Sequence, residues 1–191
     1  MDKVVKVIGL ALLYVIAIGV IETLGFYHPF FWTYSAVFAA VAAAWPYFKL
    51  CQRYPVPGIA ILCAVMLLLF NFIFGQGNEY FALGCIGCGC IAEGLRKLFG
   101  KYRGAKGVIT SYAVMSIIPF SKSIVLWIDY EAAMELIIAR MGDIYAAVMG
   151  RMLSKYMFAA MFILTIVFAI VTMWILTRNW RPRDEYHMII E

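Results

Sequence analysis

The sequence predicts an all-α integral membrane protein, a bundle of six transmembrane helices with both ends in the cytoplasm. Three observations predict it. Of the 191 residues, 65% are apolar and only 14% charged, with a mean hydropathy of +0.88; a soluble fold of this size cannot hide so much apolar surface. The apolar residues gather in six runs of 19 to 22 residues, the length a helix needs to cross about 30 Å of hydrocarbon. The basic residues are divided unequally between the two sets of connecting loops.

The six runs are residues 4–25, 30–48, 56–74, 80–98, 108–128 and 156–177. Backbone groups in lipid have no water to bond, so a single run of this length satisfies itself only as a helix. Gly25 with Pro29, Pro46, Pro55 with Pro57, Gly75 with Gly77, and Gly100 to Gly107 punctuate the pattern. No polar stretch is long enough to be a linker, so residues 1–191 read as one transmembrane domain. The start, Met1-Asp2-Lys3-Val4-Val5-Lys6 before an apolar run, imitates a signal peptide, but no small-residue cleavage site follows it. With the N-terminus inside, twelve of the sixteen Lys and Arg residues fall on the inner side, among them Lys49, Arg53, Arg96, Lys97, Lys101, Arg103, Lys106, Arg178, Arg181 and Arg183. Lys122, Arg140, Arg151 and Lys155 fall outside.

The net charge of +5 is thus a topology signal and a headgroup contact, not a nucleic-acid interface. The longest connection, residues 129–155, is amphipathic. Leu126, Tyr130, Met134, Ile137, Met141, Tyr145, Val148 and Met152 recur at steps of three and four, which predicts short helices on the outer face, broken near Gly142 and Gly150.

The chain carries few marks of catalysis. His28 and His187 fall on opposite sides of the membrane, and there is no nucleophile elbow, zinc-protease helix or phosphate-binding loop. No enzyme activity and no cofactor are expected. Five cysteines, an odd number, lie in or beside apolar runs and do not form a disulfide framework. Cys85-x-x-Cys88 and Cys90 could suit a soft metal, but no second pair or nearby His completes a site, and Gly84, Gly87 and Gly89 among them read as a small face for close helix approach. No metal site is assigned.

Ionisable groups inside spans are costly and mark function. Glu22 ends the first helix, either as an interfacial carboxylate or a ligand contact. Glu93 sits three residues before Arg96, as for an intrahelical ion pair at the inner surface. Lys122 follows Pro119 and either snorkels outward or faces a polar cavity. Asn71 reads as an interhelical hydrogen-bond residue. The outer loops combine aromatic surfaces with amides and carboxylates: His28 and Trp32 in the first, Gln76, Asn78 and Glu79 in the third, Trp127 and Asp129 at the opening of the fifth. An aromatic belt accounts for Phe30 and Phe31; the polar members point to a small-molecule pocket. Ala36, Ala40 and Ala44 form a small stripe on the second helix, packed internally by default or offered to a partner.

The chain resembles the S components of energy-coupling-factor (ECF) transporters, in the MptD-like group also called the Trep/Strep family. The resemblance runs from the first outer loop to the sixth helix. It rests on Gly75 to Gly77 with Tyr80, on Ile91-Ala92-Glu93-Gly94-Leu95-Arg96 with Tyr102, on Ser111-Tyr112-Ala113-Val114, on Leu126-Trp127-Ile128-Asp129 and on Met141-Gly142-Asp143-Ile144-Tyr145. It implies a six-helix subunit of a prokaryotic plasma membrane that captures a vitamin-like micronutrient outside. Such a subunit docks on a transmembrane coupling protein with two ATPases, which supply the missing nucleotide motif. The resemblance fits the pocket read from the outer loops, and Glu22, His28, Trp32, Gln76, Asn78, Glu79, Trp127 and Asp129 form the expected binding set, the aromatic loops suggesting a planar cargo with Trp32 and Trp127 stacking on it. Ala36, Ala40 and Ala44 become the expected docking stripe, although the family's Ala-x-x-x-Ala pattern belongs on the first helix, where this chain lacks it. Two other classes remain open from the residues: a membrane enzyme acting on lipids or isoprenoids through Glu22, Glu93 or His28, and an accessory subunit that binds only other membrane proteins.

Overall fold

The computed structural model describes residues 2–180. His187, Arg181 and Arg183 lie outside the described residues. Twelve helices follow one another: α1 (Asp2–Leu24), α2 (Pro29–Thr33), α3 (Ser35–Ala42), α4 (Ala44–Arg53), α5 (Ile59–Ile73), α6 (Glu79–Leu98), α7 (Ala105–Met115), α8 (Ile117–Ser123), α9 (Val125–Ile128), α10 (Tyr130–Met141), α11 (Asp143–Met152) and α12 (Lys155–Thr177). Among the described residues there is no strand.

The surface is that of a protein built for lipid. Val4, Ile8, Leu12, Ile16 and Val20 of α1 face outward, as do Ile163, Val167, Val171 and Trp174 of α12. Two helices, spanning Lys3–Leu24 and Lys155–Thr177, are long and apolar enough to cross a membrane, and only 22% of each apolar window is buried inside the protein. An apolar belt of this extent is unstable in water and stable in hydrocarbon.

Two apolar runs of the sequence are not single helices, for the same reason in each. Pro46 has no N–H to give the carbonyl of Ala42, and its ring crowds that carbonyl; α3 ends at Ala42. Pro119 stands in the same relation to Met115, where α7 ends. Each break is one residue long, Ala43 or Ser116, and each of these stays in the right-handed helical region. The chain therefore bends without leaving the bundle. Two further one-residue breaks, at Tyr34 and Ile124, separate α2 from α3 and α8 from α9.

The core is packed from α1, α3 to α8 and α12. Tyr14, Tyr47 and Tyr112 meet at its centre, with ring centroids 6.0 and 5.2 Å apart. Two of their polar tips are satisfied by protein partners: Tyr112 donates to the Ala40 carbonyl at 2.7 Å, and Tyr47 and Ser111 share a 2.8 Å hydrogen bond. The small faces are the ones that approach most closely. A Cβ at Gly89 would come within 2.9 Å of the Ala64 Cβ on α5. One at Gly84 would clash with the Ser121 side chain of α8. The Gly and Cys face of α6 is thus a packing face, with Cys85 buried in it.

The alanine stripe is also internal. Ala36, Ala40 and Ala44 are at most 2% exposed, and α3 packs on α1 and α12. This corrects the docking assignment. A stripe of small side chains draws neighbouring helices of its own chain close, so no surface is left there for a partner.

At one end of the bundle α10 and α11 form a cover. Gly142, at φ +87°, turns the chain between them, a left-handed conformation that favours glycine. Gly150 does not break α11. It lies against Tyr130, where a Cβ would come 3.0 Å from the phenol oxygen. The cover seats Leu126, Ala133 and Met149 in a small core of its own, with Trp32 against it, and Tyr145 donates a hydrogen bond to the Gly25 carbonyl at the end of α1. Burial pushes the Tyr145 phenol up to about 12, so it keeps its proton, and its donor role, at physiological pH.

The opposite end is fastened differently. Trp180 donates to the Arg103 carbonyl at 2.8 Å and packs edge-on against Phe48. Glu93 and Arg96 form an ion pair at 3.4 Å, but it is buried. Glu93 also accepts the Ala60 N–H at 2.9 Å, and Arg96 donates to the Val56 carbonyl at 3.3 Å. What the spacing predicts as a pair on one helix surface therefore joins α6 to the start of α5.

Candidate functional site

Beneath the cover lies a cavity of about 380 Å³, within the range of small-molecule sites. Its polar floor is built around Lys122. The break ahead of Pro119 carries the short α8 into the bundle, and Lys122 stands in the last turn of α8. Its Nζ donates to Asn71 Oδ1 at 3.0 Å, to Glu22 Oε2 at 3.1 Å and to Gln76 Oε1 at 3.3 Å. An ammonium has three protons, and all three are engaged. One side chain thus ties together α1, α5, the α5–α6 loop and α8. Lys122 and Glu22 are 16% and 15% exposed, so their attraction is only weakly screened.

Asn78 completes the floor. Its Oδ1 accepts the Phe81 N–H at 2.8 Å, capping α6, and its Nδ2 donates to the Lys122 carbonyl at 3.1 Å. An N-cap Asn satisfies one of the orphan donors of a helix start; here it also fixes the backbone that presents Lys122. Glu79, the first residue of α6, lines the cavity beside it. The walls are apolar: Phe26 and Trp32 on one part, Leu136, Ile137 and Met141 of α10 on another. Arg140, in the last turn of α10, also lines the cavity.

The structure brings five of the eight expected binding residues to this cavity: Glu22, Trp32, Gln76, Asn78 and Glu79. The other three do not line it. His28 caps α2, its Nδ1 accepting the Phe30 N–H at 3.1 Å. Asp129 caps α10 by accepting the Ala132 N–H at 3.3 Å. Trp127 donates to the Ser154 carbonyl at 3.3 Å and packs on Phe120 and Phe158. These are local capping and packing duties, and Trp127 is not placed to stack on a cargo here. Lys122, Asn71 and Arg140 belong to the site although the loop pattern does not select them. A lysine within an apolar run, three residues after a proline, is the signal for the first. Arg140 carries no such signal, because a basic residue at a helix end is ordinary.

The residues that a lipid-acting enzyme would use lie apart. Glu22 pairs with Lys122 under the cover, Glu93 pairs with Arg96 at the far end, and the imidazole of His28 caps a helix.

No curated protein and no solved structure matches the chain. The model of one family, described as "hypothetical bacterial integral membrane protein (Trep_Strep)", matches residues 2–179. That match takes in all twelve helices and every residue of the cavity, and the chain belongs to the Trep_Strep family of bacterial integral membrane proteins.

Proposed function

We propose that the chain is the substrate-binding subunit of an ECF-type importer. On this reading it crosses the membrane six times, through α1, α2 to α4, α5, α6, α7 to α9, and α12. The cover faces outward and both ends of the chain face the cytoplasm, as the Lys and Arg distribution favours. The cavity captures a vitamin-like micronutrient, and the chain itself performs no catalysis. A coupling protein and two ATPases in partner chains would supply the energy. The observation that carries the reading is the cavity. A polar floor drawn from four separate elements lies at one end of a lipid-facing bundle, under a cover held by a few local contacts. A protein that only packs against other subunits gains little from such a floor at a cavity, because ionisable groups within spans are costly and by default mark a functional site.

The test is affinity purification of the tagged chain from native membranes in mild detergent, with mass spectrometry of the co-purifying proteins. The expected result is stoichiometric recovery of a transmembrane coupling protein and two ATPase subunits. Recovery of the chain without them, under conditions that keep a known transporter complex intact, would count against the importer reading.

A further inference from the structure

The charges on the cavity wall define what the cavity can hold. Four ionised side chains line it: Glu22, Glu79, Lys122 and Arg140. Two are spent on each other. Lys122 donates one N–H to Glu22 and the other two to Asn71 and Gln76, so no donor is left on it for a ligand. The other two are uncommitted. Glu79 and Arg140 form no ion pair with each other or with any other described residue. One cavity thus presents one open anionic pole and one open cationic pole, with Phe26, Trp32, Leu136, Ile137 and Met141 supplying apolar wall.

We propose, resting on the importer reading of this cavity, that the cargo is a zwitterionic small molecule of net zero charge. Its cationic group pairs with Glu79, its anionic group with Arg140, and its apolar body lies against Trp32 and α10. Glu79 and Arg140 are both exposed, so each stays hydrated when unpaired, and a ligand with a single charge gains one ion pair in place of two. A neutral apolar ligand would leave both poles unpaired. Helix-end electrostatics gives a plainer account of the same two residues, since Glu79 lies in the first turn of α6 and Arg140 in the last turn of α10. That role uses the backbone dipole alone and predicts no selectivity for ligand charge, so the two accounts differ in a measurable way.

The test uses the purified full chain in detergent and three probes of one shape: L-tryptophan, a zwitterion; its methyl ester, a cation; and N-acetyl-L-tryptophan, an anion. The thermal unfolding midpoint is read against probe concentration. The expected result is a rise with L-tryptophan and little or none with the two blocked forms. Glu79→Gln and Arg140→Gln each weaken the apparent affinity for L-tryptophan at least about tenfold. Glu79→Gln, having lost its anionic pole, moves the preference towards the N-acetyl form. An equal response to all three probes, a preference of the wild type for one blocked form, no response to any probe, or unchanged affinity in both variants would each overturn the assignment. The co-purifying subunits of the same preparation are scored separately. Coupling and ATPase subunits without charge selectivity leave the importer standing and remove the zwitterion; charge-selective binding without those subunits does the reverse.

Discussion

Lys122→Met destabilises the protein by about 3 kcal/mol and abolishes capture at the cavity. The substitution keeps the length and apolar stem of the side chain but removes three hydrogen bonds at once. It strands the Glu22 carboxylate and the Asn71 carbonyl oxygen, and Asn71 is 1% exposed. Removing one partner of a buried pair typically costs about 3–5 kcal/mol. The residual exposure of Lys122 and Glu22 puts this case at the lower end. Because the cost is mostly the stranded charge, Glu22→Gln added to Lys122→Met returns more than half of the lost stability. The thermal midpoints of both variants and of Glu22→Gln alone, in one detergent, check both statements. Additive losses would show that Lys122 and Glu22 do not act as a pair.

At the other end of the bundle, Glu93→Ala has the larger structural effect. Arg96 is fully buried, and its Nε and Nη2 have no hydrogen-bond partner among the described residues. Glu93 is its anion, and Glu93 also receives the Ala60 N–H. Without the carboxylate, the guanidinium keeps the Val56 carbonyl and the face of the Tyr102 ring, 5.5 Å away. Those neutral partners do not offset a buried charge. The expected cost is about 4 kcal/mol, seen as a collapse of the folded fraction recovered from membranes. Glu93→Leu combined with Arg96→Met removes both charges and restores most of that fraction. Since this end is far from the cavity, the double variant retains ligand capture, which separates a structural defect from a functional one.

Much of this architecture is legible in the sequence, because hydrophobic length and punctuation are strong signals. The helical runs, the amphipathic cover and its turn at Gly142 all follow from residue order. The bends at Ala43 and Ser116 follow from Pro46 and Pro119 only once one asks which carbonyl each proline deprives. A run of apolar residues looks the same whether straight or bent, so hydropathy alone reads 30–48 and 108–128 as continuous. The site is half legible for a related reason. Residues in loops between spans are easily gathered into one set, and Glu22, Trp32, Gln76, Asn78 and Glu79 do converge. His28, Asp129 and Asn78 all offer a side-chain acceptor and share one local duty in the structure, capping a helix. Only Asn78 also reaches the cavity floor. Lys122 is visible as an anomaly, but its three partners come from positions 46 to 100 residues away. Nothing local to Lys122 names them. The alanine stripe shows the opposite ambiguity, since small residues permit contact without saying with whom.

Leu136, on α10 and 53% exposed, lines the cavity without touching the Lys122 network, so a larger side chain there fills space and removes no hydrogen bond. The deciding experiment is therefore native mass spectrometry of the chain released from its own membranes, for wild type and Leu136→Trp. The expected result is a small-molecule adduct on the wild type and its loss in Leu136→Trp, with the unfolding midpoint in the unliganded state unchanged. An adduct retained by Leu136→Trp, or none on the wild type, would contradict the claim that this cavity is where the protein captures its cargo.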